Sequence, residues 1–79
     1  MSNTPHTLRD EFPDRMDAIH ALKVRNPDFA ALLEEYDQVN DEIHRAETRI
    51  AAVSEDAEAA LRKKRLSLKD RIAGALEQA

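Results

Sequence analysis

From Phe29 onward, apolar residues recur at alternating steps of three and four: Phe29, Leu32, Tyr36, Val39, Ile43, Ala46, Ile50 and Val53. That spacing keeps one side of an α-helix apolar through nearly four heptads and predicts a coiled-coil-like packing seam. Glu34, Glu35, Asp37, Asp41, Glu42, Arg45 and Arg49 fill the other turns as a solvated side, with Asn40 and His44 flanking the seam. Asn26 offers an N-cap side chain ahead of Pro27 and Asp28. Proline in a first turn loses only an N–H that lacks a partner anyway, and a carboxylate there meets the positive end of the helix dipole. The pattern predicts a helix over 27–53.

A second long helix is predicted over 55–77. Ser54 can cap it, Glu55, Asp56 and Glu58 suit its first turns, and Leu61, Leu68, Ile72 and Ala75 or Leu76 share one side. Leu66 turns toward another side, and Arg65 stands inside the apolar stripe. A short connection around Val53 and Ser54 makes the two helices antiparallel neighbours. Equal rise along both then sets side by side residues whose numbers sum to about 109. Arg65 falls near His44, within one turn of Glu47 and Asn40. A guanidinium among apolar neighbours needs a partner, so Glu47 and Arg65 form the expected register pair. The competing reading sends the Arg65 head to water along an exposed edge.

Upstream, Leu8, Phe12, Met16, Ile19 and Leu22 trace an apolar stripe over an N-terminal helical segment, 5–24, in which Thr4-Pro5 and Phe12-Pro13 mark helix starts and Pro13 kinks or splits the run. The expected architecture is all-α: one helical domain, 1–79, built as an antiparallel, coiled-coil-like helical hairpin with that N-terminal segment attached. A hairpin presents wider apolar stripes than one neighbour covers. Leu33, Leu66 and Leu76 are the surplus, to be covered by residues 8–22 of the same chain or by a second copy.

Composition sharpens this. A chain of 79 residues builds a core that supplies about 3–5 kcal/mol without a staple, and with no cysteine neither disulfides nor thiolate zinc sites are available. Oligomerisation is left, so a homo-oligomer, dimer or tetramer, is expected. Residues 1–5 lack the basic and apolar regions of an export signal, and no apolar run reaches the roughly 20 residues that cross a bilayer. The expected location is the cytoplasm, with no membrane partner. The net charge of −4 disfavours nucleic acid and acidic lipid. The charge is uneven, however: residues 1–44 hold four basic against ten acidic side chains, and residues 45–79 hold eight against six. Arg62, Lys63, Lys64, Lys69 and Arg71 could contact phosphate, although they spread around the helix and no aromatic stands among them for base stacking.

Chemistry-bearing patterns are thin. No two of His6, His20 and His44 have the three- or four-residue spacing that places two metal ligands on one helix face. Carboxylate neighbours such as Glu34-Glu35 and Asp41-Glu42 read as solvated surface, and no phosphate loop, nucleophile set or dinucleotide fingerprint is present. No enzyme activity, metal or cofactor is expected.

Glu11-Phe12-Pro13, Ile19-His20-Ala21-Leu22-Lys23, Phe29 with Leu32 and Glu35-Tyr36, Ile43-His44-Arg45 with Glu47, and Lys64-Arg65-Leu66-Ser67-Leu68-Lys69-Asp70 with Ile72 together resemble the YdcH-like family of small bacterial proteins. The likeness spans about residues 6–72 and includes the positions of Glu47 and Arg65. It implies a bacterial cytoplasmic origin and a helical hairpin, and brings no activity, cofactor or substrate. After Asp70 the chain departs from the family pattern, with Arg71 and Ala73-Gly74-Ala75 in place of a more acidic, bulkier ending. The expected function is a non-enzymatic helical interaction module that self-associates and serves as adaptor or regulator of another protein. The alternative is a nucleic-acid-associated accessory protein using the basic cluster of the last helix.

Overall fold

A computed structural model describes residues 6–48 and 53–78. Four helices follow one another: α1 (Leu8–Glu11), α2 (Met16–Arg25), α3 (Pro27–Glu47) and α4 (Glu55–Gln78). Among the described residues no strand occurs. The chain extends 38 × 26 × 19 Å, its long dimension set by α3 and α4, which pack together as an antiparallel hairpin. Glu47 meets Arg62 and, further from the turn, Asn40 meets Arg65.

Local chemistry sets the helix bounds. Asn26 ends α2 and starts α3: preceding a proline it is held extended, at φ −132° and ψ 100°, and its side-chain oxygen accepts from the Asp28 and Phe29 N–H groups. Ser54 caps α4 by accepting from the Ala57 N–H at 3.1 Å. The apolar run predicted α3 through residue 53, but the helix stops at Glu47. Thr48 is its C-cap, with its hydroxyl donating to the carbonyls of His44 and Arg45 at 2.9 and 3.3 Å. This local bonding competes with continuation of the helix. Ile50, assigned to the seam, and Arg49 lie outside the described residues, as does the Thr4-Pro5 start.

The N-terminal segment is two helices. Pro13 cannot donate to α1 and disfavours helical backbone at Phe12, so α1 closes at Glu11 and α2 opens at Met16. α1 itself begins at Leu8 behind a capping box of Thr7 and Asp10, not at residue 5; His6, at φ 61°, is left-handed and cannot belong to it.

One buried cluster joins all three longer helices: Ile19 and Leu22 from α2, Phe29, Leu33, Tyr36, Val39 and Ile43 from α3, and Leu68, Ile72 and Leu76 from α4. Leu32 and Leu61, from the predicted seam, are partly buried against it, as are Leu8, Phe12 and Met16. Removing a leucine from water contributes about 1.5–3 kcal/mol. Leu33 and Leu76, two of the three surplus leucines, therefore add to this chain's own core, with α2 packed over the hairpin. Leu66 alone of the three remains outside it.

Candidate interaction surface

Asn40 is the buried polar side chain of the core, 4% exposed. Arg65 crosses from α4 and donates to its Oδ1 at 2.9 Å. Glu47 pairs instead with Arg62, at 2.9 Å, where both side chains are more than 40% exposed. The register pair of Glu47 with Arg65 is thus corrected: each takes a different partner. Glu47 with Arg62 matches the predicted register directly, and Asn40 with Arg65 lies about one turn from it. The guanidinium of Arg62 holds the Glu47 carboxyl below the usual carboxylate range, and Glu47 in turn raises Arg62.

The other cations of α4 are mostly engaged. Arg62 also reaches Glu58 at 3.3 Å, Lys64 reaches Glu35 on α3, and Lys69 reaches Glu11 at the end of α1, the last two at 3.4 Å. Two of these pairs, Lys64 with Glu35 and Lys69 with Glu11, join a cation of the second half of the chain to a carboxylate of the first. Lys63 and Arg71 hold no ion pair among the described residues.

The N-terminal end is clasped by a small polar group. His6 Nδ1 lies 2.9 Å from Glu11 Oε1, while the Tyr36 hydroxyl donates to the His6 carbonyl at 2.7 Å. Hydrogen bonding by His6 and the charge of Lys69 outweigh partial burial and keep the Glu11 carboxyl below its ordinary range. Burial, reinforced by Glu11, pushes the Tyr36 phenol up to about 12. A guanidinium nitrogen of Arg15, just before α2, donates to the Leu76 carbonyl at 3.2 Å, satisfying an acceptor in the last turn of α4. These contacts are structural. The Tyr36 oxygen serves a backbone carbonyl, and among the described residues no three His, Asp or Glu side chains gather as metal ligands.

What α4 leaves uncovered is the side opposite Leu68, Ile72 and Leu76. Lys63, Leu66, Ser67, Asp70 and Arg71 line an open, shallow surface there. Leu66, 59% exposed, sits in the middle of the helix between the unpaired Lys63 and Arg71. Val24 is more exposed, at 88%, and stands at the last turn of α2. Sequence spacing had set Leu66 apart from the seam and offered Leu76 as one of two residues on the seam side; it gave no sign that Leu33 would enter the core. No described helix is long and apolar enough to cross a membrane.

The molecule is a small all-helical hairpin protein whose N-terminal helices close its core. A family model described as a protein of unknown function, DUF465, matches residues 29–76, more than half of the chain, so the chain belongs to that family. The matched span takes in almost all of the α3–α4 hairpin and leaves α1 and α2 outside. No curated protein and no solved structure matches the chain.

Proposed function

We propose that the protein is a non-enzymatic interaction module, an adaptor or regulator, that works through the outward side of α4. The observation that carries this reading is Leu66, a large apolar side chain left in water at mid-helix while the other two surplus leucines enter the core. Its surroundings suit a protein partner: an apolar centre, a lysine and an arginine that hold no ion pair among the described residues, and a carboxylate at Asp70. The nucleic-acid alternative has weaker support, because Arg62, Lys64 and Lys69 each face a carboxylate of their own chain. Leu66, Ser67 and Asp70 of this face fall in the stretch Lys64–Asp70, where the chain resembles YdcH-like proteins; Lys63 and Arg71 flank it.

Photo-crosslinking tests the assignment. A benzoylphenylalanine at position 67 should give an adduct in cells, whereas the same group at Gln38, on the exposed side of α3, should not. Absence of any adduct from position 67 would overturn the reading.

A further inference from the structure

We infer that the outward side of α4 docks on the same side of a second copy of the chain, the two helices running antiparallel about a two-fold axis between Leu66 and Ser67. This rests on the reading of that side as the interaction surface. A two-fold contact must be self-complementary, each residue meeting a partner that meets it in return. With equal rise on both helices, an axis between 66 and 67 sets Lys63 opposite Asp70 of the second copy, and Asp70 opposite its Lys63. Leu66 then lies over Ser67 and beside the other Leu66, which gives each exposed leucine apolar cover. The same axis sets Arg71 at the level of Arg62 of the second copy, toward the edges of the contact, where Arg62 is held by Glu47 and Glu58 of its own chain; neighbouring registers bring like charges to the centre. An axis one turn later, at Asp70, faces the two Asp70 side chains against each other, and one turn earlier, at Lys63, it does the same to the lysines. Like charges so placed repel.

Gly74 supplies a separate observation. Glycine inside a helix weakens it, its φ here is not positive, and a Cβ added to it would meet nothing within 4 Å. Among the described residues nothing calls for glycine at that position. In the inferred pairing Gly74 opposes Ala59 of the second copy, where two small residues let the backbones come close. Asp56 and Glu77 oppose each other at both ends, so the contact is confined to the central turns. With one large apolar residue per chain it stays well below the roughly 1,200 Å² of stable complexes, and the association is weak and reversible.

The test is sedimentation velocity on the full chain from micromolar to millimolar concentration, for wild type, Lys63→Asp, Asp70→Lys and the double exchange. Thermal melts of dilute samples check that each variant folds, and Ser67→Arg serves as an uncoupled steric block. The wild-type mass should climb toward twice the monomer. Each single reversal should weaken association about tenfold, and the double exchange should restore it. An equal mixture of the two single variants should pair, because one presents only acids at these positions and the other only bases. A chain that is monomeric throughout, or a dimer indifferent to the reversals and to Ser67→Arg, overturns the inference. An adduct from position 67 to a polypeptide of different mass, with the chain itself monomeric, sinks the second copy and leaves the interaction reading standing. No adduct and no dimer would sink both.

Discussion

Arg65 on α4 donates to Asn40 on α3 across 2.9 Å, a polar bond that joins the two long helices beside their apolar seam. A buried amide with a charged donor is costly to orphan, about 1–3 kcal/mol when one partner is lost. An exposed ion pair such as that of Glu47 with Arg62 is worth about 0–1 kcal/mol. Asn40→Ala should therefore lower unfolding free energy in urea by about 1–3 kcal/mol, and Glu47→Gln by less than about 1 kcal/mol. Equal losses from the two variants would contradict the greater weight given to the Asn40 bond.

Tyr36 gives a pH signature. Its phenol is raised in the folded chain to about 12. An acid whose neutral form is favoured by folding contributes stability that is fully present below the unfolded value of about 10 and lost as pH rises through the folded one. Tyr36 is the sole tyrosine and there is no tryptophan, so near-ultraviolet phenolate absorbance reads this residue alone. The titration should run near 12 or coincide with loss of helix, and Tyr36→Phe should cost about 1 kcal/mol at neutral pH. A midpoint near 10 with the helices intact would show the hydroxyl to be open to water.

Gly74→Ala should stabilise the dilute chain by about 0.5–1 kcal/mol, since a Cβ there meets open space and alanine is the better helix former. Urea unfolding at low micromolar concentration measures it. A loss of stability would reveal a close neighbour at Gly74 within the single chain.

Much of the fold was legible in the residues because it depends on local chemistry. Asn26-Pro27 and Ser54 mark helix starts through bonds to the next few N–H groups, and the stripe from Phe29 to Ile43 follows from helical period alone. The predicted register also brought Arg65 within a turn of Asn40. Less legible was the choice of partner for Glu47. The register of about 109 sets Arg62 directly opposite Glu47 and Arg65 three residues away, but the expectation followed the need of Arg65 for a partner and passed over the nearer cation. Periodicity also ran on past Thr48, whose hydroxyl ends α3 by bonding back onto it. Leu33 and Leu76 belonged to stripes wider than one neighbour, and only the placement of α2 shows that they are covered within the chain. Leu66 is what that placement leaves over, so the candidate surface follows from the tertiary packing and was open in the sequence.

The central claim is that one chain closes its own core and keeps the outward side of α4 for a partner. Thermal melting of the wild-type chain over a wide dilution series tests this most directly. Closure within the chain predicts a melting temperature that is constant through the micromolar range and rises only where the weak α4 contact begins to fill. A melting temperature that falls steadily with dilution, down to a chain that is unfolded when dilute, would mean that Leu33, Leu76 and their neighbours form a core shared between chains, and would contradict the account.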